Sequence, residues 1–281
     1  MPHLSQLQRE YKDKNVTIIG MTSEDKTNTL EKVKKMVEEK GDVMDYSVAW
    51  DVGRETNVAY MKAAKQRGIP TSFLVDKAGK IAWIGHPAEV DIPLAHVVAG
   101  TWDYEKGPAM MKAIKDDKRA LAKAAAVDPK KALELFAKFK KEYPLAAKGL
   151  EELHFTILSK LPEQADMATK LGHQIVQKAI AAKNAAGLNR FAWGLVDPEV
   201  ALDNRFLDVA LLAATKANEF TEMQDPSILD TLARVYFWKG DLLKAFEIQK
   251  SAVQNADERM KGQLEPALHE YEKALKEKQP G

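Results

Sequence analysis

The sequence predicts an α/β segment followed by an all-α segment, and three observations carry that prediction. Residues 1–103 alternate between β-branched runs and apolar residues at helical spacing. From Tyr104 onward the strand signals disappear and Ala, Leu, Lys and Glu dominate. A boundary near residues 103–107 also divides the 281 residues, 45% of them hydrophobic, into two lengths that can each bury a core, 1–103 and 104–281.

In the α/β segment, Asn15-Val16-Thr17-Ile18-Ile19-Gly20-Met21 is a β-branched run flanked by polar residues, which predicts a strand over 16–21. Leu30, Val33 and Val37 repeat at helical spacing among Lys and Glu. Tyr46-Ser47-Val48-Ala49-Trp50 reads as a short extended piece, and a helix is expected from Glu55 to Lys65 with its end marked by Gly68. Two apolar runs, 71–75 and 80–84, flank Asp76-Lys77-Ala78-Gly79, a turn with glycine where a hairpin wants one, so they should pair antiparallel. A last helix runs from about Val90 to Ala99.

In the all-α segment, Asp128-Pro129 and Asp225-Pro226 each place an N-cap acid before a proline at the first helical position. Gly240-Asp241 ends one helix and caps the next, which makes a tight helix pair of residues 226–238 and 241–254. Leu207, Ala210 and Ala217 match Leu242, Ala245 and Ala252 at an offset of 35, whereas Leu188, Phe191 and Ala192 match Leu229, Leu232 and Ala233 at 41. Two stacked helical hairpins follow, one with a lengthened turn around Val196–Val200, and the amphipathic helix from about Asp257 to Lys276 caps the stack.

Composition narrows the function. With 42 basic and 41 acidic residues the net charge is +1, giving no field to attract phosphate backbones or anionic lipid, so neither nucleic acid nor a membrane is an expected partner. No apolar stretch approaches the roughly 20 residues of a spanning helix. Met1-Pro2-His3-Leu4-Ser5 lacks a basic region followed by a long apolar core, and the expectation is a soluble, cytoplasmic chain. The absence of cysteine excludes disulfides, thiolate metal sites and cysteine nucleophiles together.

Gly68-Ile69-Pro70-Thr71-Ser72-Phe73-Leu74-Val75-Asp76-Lys77-Ala78-Gly79-Lys80-Ile81, continuing to Trp83-Ile84-Gly85-His86-Pro87, resembles the cis-proline loop and hairpin of TlpA/ResA-like thiol-disulfide oxidoreductases and related redoxins. The resemblance covers roughly residues 1–103 and implies a thioredoxin-like fold. The helical half looks like the TPR-type extension of some bacterial members, whose period is about 34 residues. Leu229-Asp230-Thr231-Leu232-Ala233 is its clearest stretch.

The resemblance further implies a Trp-Cys-x-x-Cys motif, and Met1 to Tyr11 looks like the helix just beyond it. By this comparison a central strand between residues 16–21 and 71–75 is absent, and an extracytoplasmic parent protein is implied. Two apolar strand edges are then left with unpaired backbone groups. Either the two strands close up and pair, or a neighbouring chain pairs with the edge; a homodimer or intertwined oligomer is expected.

Pro70, with Ile69 and Thr71, is implied by the resemblance to face the substrate chain, with its bond cis; with no thiol partner in the chain, shaping the turn before the strand is the weightier reading of Pro70. Glu24, Asp25 and Asp51 follow strands, and their convergence near Pro70 would offer paired carboxylates, with His86 a further candidate; caps and solvated turns are the commoner role of such residues. The histidines show no metal-ligand spacing, and no phosphate or dinucleotide motif occurs, so no metal or cofactor is expected. Trp193, Tyr236, Phe237 and Trp238 are candidates to line a peptide groove on the helical repeats, or to be core. Three readings result: a redox-inactive protein-interaction module; a thiol-disulfide oxidoreductase in a longer parent protein; and a hydrolase-type enzyme using the carboxylates or histidines.

Overall fold

The computed structural model describes residues 2–41, 44–199 and 206–278. Among the described residues strands occur only ahead of a long helical region, so the chain is α/β followed by all-α. It forms two compact units, Met1–Asp116 and Asp117–Gly281, with the division inside a helix.

The N-terminal unit begins with α1 (Pro2–Tyr11), then β1 (Ile19–Thr22), α2 (Leu30–Lys40) and β2 (Ser47–Trp50). The Thr29 side chain caps α2 by accepting from the Lys32 N–H. β1 and β2 pair in parallel, from Ile19 opposite Ser47 to Thr22 opposite Trp50. Then β3 (Ser72–Val75) and β4 (Ile81–Gly85) form the antiparallel hairpin, with an irregularity between Leu74 and Val75. α3 (Asp91–Val98) follows, and α4 (Gly107–Val127) starts in this unit.

Three expectations need correction. Strands 16–21 and 71–75 do not close up and pair: β1 bonds to β2 and β3 to β4, in two separate two-stranded sheets. Each strand finds its partner locally, one through the α2 crossover and one through the Asp76–Gly79 turn, whose Gly79 N–H donates to Asp76 O at 3.0 Å. Regular β1 pairing starts at Ile19, because the Gln8 side-chain amide replaces a strand just before it. Its Nε2 donates to Val16 O at 2.9 Å and its Oε1 accepts from the Ile18 N–H at 2.6 Å. Finally, the helix expected over 55–65 forms but is mostly π-helical, Asn57–Lys62, stops three residues early and follows a separate 3-10 turn, Val52–Arg54. Gly53 and Arg54 both adopt left-handed conformations, φ 66° and 62°, which break the helical start, and the segment ends on Lys65 at φ 54°, ahead of Gly68.

Trp83 of β4 is buried with Leu7 and Tyr11 of α1, Val90, and Leu94 of α3. Its indole lies across Gly85, where an added Cβ would fall 2.2 Å from the ring. Trp102 donates its indole N–H to Ala82 O at 2.9 Å and so occupies a backbone acceptor on β4.

The helical unit continues with α5 (Pro129–Glu142), α6 (Pro144–Ala147), α7 (Glu151–Ser159), α8 (Ala165–Ala181), α9 (Ala185–Val196), α10 (Leu207–Phe220), α11 (Pro226–Trp238), α12 (Leu242–Asn255) and α13 (Glu258–Lys278). Asp128, Asp225 and Asp241 cap α5, α11 and α12 through their carboxylates. From α9 to α13 each helix packs on the next. Ala210, Ala213, Ala214 and Ala217 of α10 are fully buried, and these small side chains let neighbouring helices approach closely. Buried Asn218 ties α10 to α11, its Nδ2 donating to Ala214 O and Ile228 O at 3.0 Å each.

The indole stacked over Gly85 is rigid, so Gly85→Ala should force a shift costing about 1–3 kcal/mol. Denaturant unfolding followed by tryptophan fluorescence checks this; an unchanged midpoint contradicts the assigned packing.

Candidate functional site

The Gly68–Thr71 loop enters β3. Its Ile69–Pro70 bond is cis, Thr71 Oγ1 donates to Gly68 O at 2.7 Å, and the Ile69 side chain projects into solvent at 89% exposure. The next strand is braced from the side: the Tyr60 ring meets Phe73 edge-on at a centroid separation of 5.2 Å. The loop therefore presents an apolar side chain from a fixed turn.

The acidic candidates lie beyond the carboxyl ends of the parallel strands β1 and β2. Asp25 accepts from the Thr27 N–H at 2.7 Å, from the Thr27 hydroxyl and from the Asn28 N–H. These bonds, the Thr27 N–H foremost, hold its carboxyl below the usual carboxylate range, with Arg54 assisting. Asp51, largely buried, accepts from the backbone N–H groups of Thr56 and Asn57 at 2.8 and 2.9 Å. Burial pushes its carboxyl up, but the two N–H bonds, the Thr56 hydroxyl and Arg54 outweigh this and leave it lowered. Glu24 is exposed, with no hydrogen bond or ion pair among the described residues.

His86 is placed differently. Its ring Nδ1 accepts from the Ala88 N–H at 3.2 Å, capping the turn Pro87–Glu89 after β4. No hydrogen bond joins it to the acids. Asp25 and Asp51 are each occupied in fixing a turn, and the link between them is Arg54, whose Nε donates to Ser23 Oγ at 3.4 Å. Sequence reasoning passed over Arg54; its signal was a Gly-Arg pair directly after a strand. Among the described residues no group of His, Asp and Glu is arranged to hold a metal ion.

In the helical unit Trp193, Tyr236 and Trp238 are half-buried and pack on the large core cluster. Trp238 Nε1 donates to Val196 O at 2.9 Å, and Lys244 Nζ lies 5.2 Å from the Tyr236 ring centroid. A polar cluster that the sequence did not signal joins α11, α12 and α13. Gln249 Nε2 donates to Asp230 Oδ1 at 2.7 Å and Leu264 O at 3.1 Å, and Arg234 pairs with Glu270 at 2.8 Å beneath the Tyr271 ring. Burial raises the Asp230 carboxyl and the Tyr271 phenol, and the Tyr271 hydroxyl has no hydrogen-bond partner among the described residues.

With this geometry in view, the chain can be compared with known proteins. Residues 1–84 match the model of the AhpC/TSA family. This is a redoxin family of thioredoxin fold, and the matched stretch contains β1, β2, β3, the cis-proline loop and β4 up to Ile84. No curated protein and no solved structure matches the chain. Among the described residues no helix is long and apolar enough to cross a membrane.

Within this redoxin-type stretch Asp25 and Asp51 have lower pKa values folded than unfolded. Each therefore contributes stability above the unfolded carboxylate pKa of about 3.9, and that stability is lost as pH falls through the folded value. Asp51→Ala should lower the thermal midpoint at pH 7 and flatten the acid-side loss, whereas Glu24→Gln should change neither. Melting curves between pH 2 and pH 7, on the order of the carboxylate range, read both; equal effects of the two substitutions contradict the capping role.

Proposed function

We propose that this chain is a protein-interaction module built on a redoxin-type fold, with no dithiol chemistry of its own. The observation that carries this reading is the Ile69–Pro70 loop: the turn and its projecting apolar side chain are present, in a chain with no cysteine to serve as nucleophile. An exposed large apolar side chain on a constrained loop is the kind of anchor that a partner segment covers.

The finer affinity is with the TlpA/ResA-like members, supported by the Gly-Ile-Pro-Thr loop running into Phe73-Leu74-Val75-Asp76. The helical unit is read as TPR-like, supported by the α11–α12 pair around Gly240, which takes φ 79° at the turn, and by the alanine-mediated packing of α9 to α13. In this reading the half-buried faces of Trp193, Tyr236 and Trp238 contribute chiefly to the stack. The unit is a second docking surface on the scale of whole helices. The match over residues 1–84 supports a second reading, a thiol-disulfide oxidoreductase role in a longer protein with cysteines outside these 281 residues. A hydrolase-type activity is not proposed, because Asp25, Asp51 and His86 are separately engaged in turns and caps.

Two measurements test the proposal. Insulin reduction by the full chain should not exceed background, and turnover above it contradicts the denial of thiol chemistry. In a titration against a library of extended apolar peptides, Ile69→Asp should weaken binding about tenfold, the loss of roughly 1.4 kcal/mol of anchoring. Absence of any bound peptide, or binding indifferent to the substitution, contradicts the docking role.

A further inference from the structure

We propose that Asp230 and Gln249 form a proton-dependent latch that seats α13 on α11 and α12. In the closed state the protonated Asp230 carboxyl donates to Gln249 Oε1 while Gln249 Nε2 donates back to Asp230; when that proton leaves to water, the seat of α13 loosens. The starting point is an orphaned acceptor. Gln249 is fully buried, and its amide nitrogen is engaged by Asp230 Oδ1 at 2.7 Å and Leu264 O at 3.1 Å. Its Oε1 is also buried, with no hydrogen-bond partner among the described residues. A buried acceptor left unpaired carries the desolvation cost of the group, so the site calls for a donor.

Asp230 is the group joined to this amide that can become one. A carboxylic acid presents an acceptor and an O–H donor side by side, matching the N–H and C=O of a primary amide, whereas an ionised carboxylate only accepts. The surroundings favour the neutral form. Asp230 is half-buried and makes no ion pair among the described residues. Arg234, one turn along α11, pairs instead with Glu270 of α13 at 2.8 Å and lies 4.9 Å from the Tyr271 ring centroid. The groups facing Asp230 are thus Arg234 on its own helix, the neutral Gln249 amide on α12, and Glu270 and Tyr271 on α13. Burial, opposed by the Gln249 bond and by Arg234, holds the carboxyl above its usual range.

The latch acts on α13 through Leu264. Its carbonyl lies two residues ahead of Pro266, which removes a backbone donor inside the helix, and Gln249 Nε2 bonds to that carbonyl. Leu264 packs with Leu229 and Ala252, and Tyr271 with Ala233 and Ala245, so loosening α13 uncovers apolar surface of both α11 and α12. The sign follows from the raised carboxyl: the added stability is fully present below the unfolded value of about 3.9 and is lost as pH rises through the folded value. That is opposite in sense to Asp25 and Asp51. The inference goes beyond the interaction reading and uses nothing of the Ile69 loop, so the two fail separately.

Residue-resolved amide hydrogen exchange of the full chain from about pH 4 to about pH 8, expressed as protection relative to the intrinsic rate at each pH, is the test. Protection of α13 should fall about tenfold as pH rises, the scale of one buried hydrogen bond. Asp230→Asn places an N–H where the acid carries its O–H, and should keep α13 at its acid-side protection throughout. The carboxyl carbon resonance of Asp230 in the wild-type chain, assigned through its own backbone, should titrate with the same midpoint, above about 3.9. Wild-type protection of α13 that does not change with pH, or an Asp230→Asn chain with the wild-type pH dependence, overturns the proposal. So does a carboxyl midpoint at or below the ordinary value, a result that requires no variant to fold.

Discussion

Backbone N–H and C=O groups withdrawn from water need partners, and the supply of partners to β1 shapes the N-terminal unit. β2 serves residues 18, 20 and 22, and Gln8 reaches from α1 to serve Val16 and Ile18 where β2 has not yet begun. That amide therefore joins the first helix to the first strand while Leu7, one residue before it, enters the Trp83 core. The same requirement accounts for several polar side chains, two of them catalytic candidates in the sequence, Asp25 and Asp51. Asp51 takes the N–H groups that open the π-helical stretch, Asp25 fixes the loop after β1, and Tyr104 donates to Asp76 to hold the hairpin turn.

The helical unit meets its backbone requirement within each helix, so packing between helices becomes its limiting term. Fully buried alanines on α10 and at Ala233, Ala245 and Ala252 allow close contact, and few polar side chains intrude. Those that do are tied across helices, Asn218 between α10 and α11 and Gln249 between α11, α12 and α13. Asp230 is held in this layer against the cost of burial, which places its carboxyl above the usual range.

Much of the fold was legible because it rests on local chemistry. β-branched residues marked β1, the Asp76–Gly79 turn marked the hairpin, and Asp-Pro pairs marked the starts of α5 and α11. The pairing of strands was less legible, because an edge satisfied by Gln8 or Trp102 carries no periodic signal. The helix over 55–65 was legible, but not its type or end: apolar spacing cannot distinguish an α-helix from a π-helical stretch whose entry is set by left-handed residues and a carboxylate cap. Within the candidate site the loop around Pro70 was readable as a motif, whereas Arg54 and the Asp230–Gln249–Tyr271 cluster depend on residues far apart in the sequence.

These observations describe an N-terminal stretch similar to a redoxin family, in which Asp25, Asp51 and His86 serve turns and caps and the Ile69 side chain stands exposed on its loop. The one-sided pairing of β1 is the central claim. Residue-resolved amide hydrogen exchange in dilute solution tests it most directly. Gly20 and Thr22, facing β2, should exchange slowly, and Thr17, Ile19 and Met21 should exchange rapidly. Uniform protection along β1 at the lowest concentration would show that the outer edge is already covered within the chain, and would contradict the account.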